Sequence, residues 1–152
     1  MIAHVKALQM GDGFTDGVFL GPVQNSMQYE KVSSLFDDIE KSGQKVAIGG
    51  KIDKNSGGYY ITPTIIDNPD ENSRIVQEEP FGPILPILKW STEEEVIERA
   101  NSTEMGLGAS VWTSSVEEAE RISRQLEAGS VWTNGHLVSG QSCMPRQGCQ
   151  QW

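Results

Sequence analysis

A chain of 152 residues, 37% hydrophobic and 22% charged, has the composition of one ordinary globular domain, which argues against general disorder. Twelve basic against 21 acidic residues leave a net charge of -9 with no Lys/Arg cluster to offset it, so phosphate backbones are repelled and no nucleic-acid partner is expected. No stretch approaches the roughly 20 apolar residues of a membrane span, the first ten residues carry no signal-peptide pattern, and two cysteines make neither a disulfide framework nor a metal site; a soluble, cytoplasmic protein without metal or membrane is expected.

GDGFTDGVFLGPV, at 11–23, is a glycine-rich loop with too little periodicity for an element of its own. The spacing of Val32, Leu35, Phe36 and Ile39 predicts a helix from Asn25, with Gly43 capping its end. KVAIGG at 45–50 reads as a short strand stopped by two glycines. YYITPTIID at 59–67 is aromatic and β-branched, and Pro63 marks it as an edge or interrupted strand.

ILPILKW at 84–90 has the pattern of a buried strand. STEEEVIERAN follows, with a capping box at Ser91 or Thr92 and an apolar face of Val96, Ile97 and Ala100. GLGASVWTS at 106–114 is another strand. In the next helix Val116, Ala119, Ile122 and Leu126 line one side, Glu117 to Arg121 and Glu120 to Arg124 are i,i+4 pairs, and Gly129 ends it. SVWTN at 130–134 is the last strand. Strand, helix, strand, helix, strand with short connections predicts an α/β fold, a parallel sheet with crossover helices. From 135 to 152 the pattern dissolves into GHLVSGQSCMPRQGCQQW, a divergent tail expected to be disordered, beside a folded region of 1–134.

The segment richest in chemistry is EEPFGP at 78–83. Two carboxylates precede a phenylalanine pinned between Pro80 and Gly82-Pro83, just before a buried strand. A carboxylate can accept from both vicinal hydroxyls of a ribose, and a fixed aromatic ring offers a flat face. The alternative reading is a turn with Glu78 and Glu79 solvated and Phe81 plugging the core.

The run GGYYITPTIIDNPDENSRIVQEEPFGPILPILKW resembles the aldehyde dehydrogenase superfamily, whose members carry a Glu-x-Phe-Gly-Pro signature in this setting. GDGFTDGVFLGPVQNSMQYEKV resembles the family's Gly-Asp-Pro-loop-Gly-Pro segment and following helix. ERANSTEMGLGASVWTSSVEEAERISRQLEAGSVWTN resembles its Ala-Asn…Tyr-Gly-Leu…Ala-Gly…Val-Asn stretch. The likeness covers nearly all of 6–134, in family order. It implies part of an aldehyde dehydrogenase catalytic domain, and a family reaction in which NAD or NADP oxidises an aldehyde to a carboxylic acid through a cysteine thiohemiacetal. It places Glu79 on the nicotinamide-side ribose and Phe81 near the nicotinamide ring. The loop around Asn134 would wall the substrate tunnel.

Family members carry their nucleophile in a Gly-Gln-x-Cys segment well before the Glu-x-Phe-Gly-Pro signature. GQSC at 140–143 matches that motif, but some 60 residues after the signature, with Pro145 two residues on and no helix start to lower the thiol pKa. Cys143 is therefore read as a free thiol, and no catalytic residue is assigned. The nucleophile, the general-base glutamate and the Rossmann-type domain would precede Met1. A truncated aldehyde dehydrogenase-like protein, inactive alone, is expected, its cofactor binding doubtful; the alternative is a non-enzymatic paralogue or regulator that associates with full-length subunits. Self-association is the other partner expectation, because apolar strands lacking their cover attract one another.

Overall fold

The computed structural model of the chain describes residues 1–52, 56–136 and 144–145. They fall into two compact units that divide after Lys89. The first contains helix α1 (Ile2–Ala7), helix α2 (Ser26–Lys41), strand β1 (Val46–Ile48), strand β2 (Thr64–Asp67), helix α3 (Arg74–Gln77) and strand β3 (Ile84–Ile87). The second contains helix α4 (Glu93–Ala100), strand β4 (Gly108–Val111), helix α5 (Val116–Ser123), strand β5 (Ser130–Thr133) and strand β6 (Met144–Pro145).

In the first unit α2 is the organising helix. The Asn25 side chain accepts from the Gln28 amide at 2.9 Å and caps its start. Its end is a Schellman motif: the Gly43 amide donates to Glu40 and the Gln44 amide to Ile39, which requires the positive φ of 66° that Gly43 adopts. Between these caps Val32, Leu35, Phe36 and Ile39 fall on one face and are buried against Ile61, Ile66, Ile75 and Ile84. Each such side chain contributes roughly 1.5–3 kcal/mol on burial, so this apolar layer carries the unit.

Beside α2 lies a sheet in the order β1-β2-β3, with β1 antiparallel and β3 parallel to β2. Gly49 turns the chain out of β1 at φ 79°, where a Cβ would lie 2.4 Å from the Pro63 carbonyl. The strand expected at 59–67 begins only at Thr64 and is the central strand of its sheet. Pro63, which can donate no ladder bond, sits one residue outside it, and this is why the sheet tolerates it. Two short helices, α1 and α3, lie where no element was expected.

The second unit is a sheet in the order β4-β5-β6, β4 and β5 parallel, β6 antiparallel to β5. Thr92 and Ser115 cap α4 and α5 through the Glu95 and Glu118 amides. The Glu95 carboxylate returns to the Ser91 amide at 2.9 Å, closing the expected box one residue earlier than the cap. Its core gathers Val111, Ala119, Leu126, Ala128 and Val131. Three details of α5 differ from expectation. Val116 is its first residue and stands 80% exposed, and the helix closes at Arg124. Arg121 reaches across to Glu93 of α4, while Arg124 does pair with Glu120 at 2.5 Å.

The α/β class and the parallel pairs with helical crossovers are as expected, but the parallel strands are shared between two sheets, β2 with β3 and β4 with β5. Leu85 on β3 is half exposed, so that strand is not covered on both faces by the described residues.

One device recurs in both units. Asn68, just after β2, has φ 53°, donates its amide to the Ile87 carbonyl at 2.7 Å and accepts the Lys89 amide on Oδ1 at 2.8 Å. Asn134, just after β5, has φ 50°, donates its amide to Val111 at 2.9 Å and accepts the Thr113 amide on Oδ1 at 3.0 Å. In each case an asparagine takes the left-handed conformation it tolerates better than most residues and continues the parallel ladder with its side chain.

Candidate functional site

The EEPFGP segment joins α3 to β3, and α2 holds it by three contacts. Gln28 Nε2 donates to the Pro80 carbonyl at 2.7 Å, and Lys31 Nζ donates to the Glu79 carbonyl at 3.1 Å. Gly82 lies so close to Val32 that a Cβ there would meet Val32 Cγ2 at 2.8 Å. Beyond the loop, the Pro83 carbonyl accepts the Thr64 amide at 2.8 Å, which pins it to β2. The backbone is thus fixed from the core side while the Glu79 and Phe81 side chains are exposed.

The two adjacent glutamates have different fates. Glu78 is held by Arg74 one helical turn earlier, Nε to Oε1 at 2.7 Å, and the guanidinium lowers its pKa below the ordinary glutamate value. Glu79 is exposed, and among the described residues its carboxylate has no hydrogen-bond or ion-pair partner. Only Glu79 is thus left with both oxygens available to a ligand.

Phe81 departs from one of the two readings the sequence left open. It does not plug the core: its ring is 71% exposed, at φ 45°, a conformation rare for an aromatic residue. Such backbone strain costs on the order of 1–3 kcal/mol and persists only where its surroundings enforce it. Here the enforcement is the Gln28 and Val32 contacts on either side. The Lys31 ammonium lies 6.0 Å from the ring centroid, at the outer limit of a cation–π contact.

An unpartnered carboxylate two residues before an exposed ring on an anchored loop suits a ligand with vicinal hydroxyls next to a flat heterocycle. The nicotinamide riboside half of NAD or NADP has that chemistry, so Glu79 and Phe81 fit the group expected there. Gln28 and Lys31 were not singled out from the sequence, because nothing local marks a helix residue as the anchor of a loop 52 residues away.

In the second unit, Asn134 Nδ2 also donates to the Thr113 carbonyl at 2.8 Å, completing a two-bond clamp. Ser110 Oγ and His136 Nδ1 are 2.7 Å apart, and the His136 ring meets Trp132 edge-on at 5.2 Å. Among the described residues no group of three His, Cys, Asp or Glu side chains could hold a metal. Nor is any helix among them long and apolar enough to cross a membrane. Cys143 and most of the 135–152 tail lie outside the described residues.

The sequence model of the aldehyde dehydrogenase family matches residues 1–151, through the stretch expected to diverge. Aldehyde dehydrogenase 1 of Tanacetum cinerariifolium is 43% identical over 136 residues, 90% of this chain and 27% of that protein. Aldehyde dehydrogenase 1A1 of Homo sapiens is 37% identical over 142 residues, 93% of this chain and 28% of that protein. The crystal structure of betaine aldehyde dehydrogenase from Staphylococcus aureus in complex with NAD+ superposes with a TM-score of 0.84 at 35% identity, over 93% of this chain and 29% of that one. The chain therefore spans little more than a quarter of the length of these relatives.

Proposed function

The chain belongs to the aldehyde dehydrogenase family, and from that premise we propose that it supplies the nicotinamide-side surface of an NAD(P)-dependent aldehyde dehydrogenase catalytic domain. Glu79 accepts the ribose hydroxyls and Phe81 lies against the nicotinamide ring. When bound, the dinucleotide supplies a hydride acceptor. The residues of this chain bind and orient it: Gln28 and Lys31 fix the loop, Arg74 neutralises Glu78, and Glu79 is left to meet the sugar. The observation that carries this reading is the pairing of an unpartnered carboxylate with an exposed, backbone-strained ring on an anchored loop.

By themselves the 152 residues are inactive. Aldehyde oxidation in this family needs an activated cysteine beside the nicotinamide and a base to admit water. The only cysteines in the sequence, Cys143 and Cys149, come some 60 residues after the loop. Purified chain incubated with aldehyde and NAD or NADP should form no reduced cofactor, and Cys143→Ala should change nothing. Turnover that disappears in that variant would reverse the assignment of Cys143.

A second reading, a non-enzymatic protein that associates with full-length family subunits, is favoured by the exposed apolar side chains. Phe14 is fully exposed and Leu107 and Trp112 largely so. Co-expression with a full-length relative separates the two: stable co-purification supports the associating protein, and its absence supports the catalytic-domain piece alone.

A further inference from the structure

The two equivalent asparagines have different successors. Asn68 is followed by Pro69 and Asn134 by Gly135. A backbone N–H following asparagine can attack that residue's side-chain amide. Proline has none, and glycine presents the least hindered one. We infer that Asn134 is a deamidation site, kept latent in the folded chain by the Thr113 clamp, whereas Asn68 is barred from the same chemistry by Pro69.

The step balances without any cofactor. The Gly135 nitrogen attacks Cγ of Asn134 and loses its proton, the C–N bond of the side-chain amide breaks, and ammonia leaves with that proton. The resulting five-membered imide is opened by water at either carbonyl, giving aspartate or isoaspartate. The attack needs the Asn134 side chain to swing toward its own C-terminal peptide. In the fold it is held the other way, with Nδ2 on the Thr113 carbonyl at 2.8 Å and Oδ1 on the Thr113 amide at 3.0 Å. Both bonds must break first. The residue is nonetheless exposed, so water and base reach it once the strand end opens.

Conversion would be a one-way change. An aspartate can still accept from the Thr113 amide, but it cannot donate to the Thr113 carbonyl, and two oxygens are left facing each other. Isoaspartate adds a backbone methylene where φ 50° and the bond to Val111 now hold the chain. Either product loosens the end of the β4–β5 pair and the segment that sets His136 against Ser110. The inference does not depend on the cofactor reading.

The test is peptide mapping by mass spectrometry of the full chain, incubated at mildly alkaline pH with and without denaturing urea. Acid and isoaspartyl products should accumulate at residue 134 in the unfolded chain and at least about tenfold more slowly in the folded one, the factor given by about 1.4 kcal/mol of local opening. Residue 68 should show none in either state. Gly135→Val should suppress the reaction in the unfolded chain. Equal rates at residue 134 in folded and unfolded chain would overturn the inference, as would a Gly135→Val chain that converts as fast as the wild type.

Discussion

The side-chain amide of Gln28 donates to the carbonyl of Pro80 at 2.7 Å, joining the first turns of α2 to a loop 52 residues later. That bond, with Lys31 on the Glu79 carbonyl, converts a flexible connection into a fixed platform. Gln28→Ala removes a part-buried hydrogen bond and leaves the Pro80 carbonyl unsatisfied, a loss of about 1–2 kcal/mol. Amide exchange at Thr64 and Ile84, which donate to the Pro83 and Gly82 carbonyls of the loop, should quicken by a factor of roughly 5–30, while α2 keeps its protection because Val32, Leu35 and Phe36 still hold it. Unchanged exchange at both residues would show that the loop is rigid without α2.

Gly82 tests the same contact sterically. A Cβ there meets Val32 Cγ2 at 2.8 Å, and Val32 is fully buried and has nowhere to go. Gly82→Ala should destabilise the first unit by about 1–3 kcal/mol, the usual cost of overpacking. Combined with Val32→Ala it should cost less than the two separate losses added together. Denaturant midpoints of the four proteins check this, and strict additivity would deny the contact.

Acid should weaken the fold through its paired carboxylates. Hydrogen bonding to Lys45 lowers the pKa of Asp67 below its usual 3.8, and Arg74 lowers that of Glu78 below 4.5. A carboxylate whose folded pKa is depressed gives its full stability above the unfolded value and loses it as pH falls through the folded one. Stability should therefore be level down to about pH 4.5 and decline below it. The decline should be shallow and reduced by salt, because both pairs face solvent. Arg74→Gln should flatten part of it. A loss of stability already under way at pH 6 would point to other groups.

What was legible in the sequence follows from periodicity and short-range rules. The four apolar positions of α2, its Gly43 terminus and the capping of α4 are local, and they stand as expected. What was not legible is set at long range. Pro63 looked like the mark of an edge strand, yet it sits outside a central strand whose ladder begins at Thr64. Val116 matched the helical period, but as the first residue of α5 it precedes the turn that faces the core. Arg121 matched an i,i+4 partner in Glu117 and chose Glu93 on another helix. At the candidate site the sequence marked Glu79 and Phe81 but could not tell whether the ring was buried. It also could not say which glutamate Arg74 would occupy, since that depends on the short helix α3.

The proposed nicotinamide-side surface of Glu79 and Phe81 can be probed by titrating isotopically labelled chain with NAD and following amide chemical shifts. With only the nicotinamide half of the dinucleotide contacted, binding should be no tighter than about millimolar. The shifts should centre on residues 78–83 and on Gln28 and Lys31, and Glu79→Ala should abolish them. Shifts that fall elsewhere, or that survive Glu79→Ala unchanged, would contradict the account.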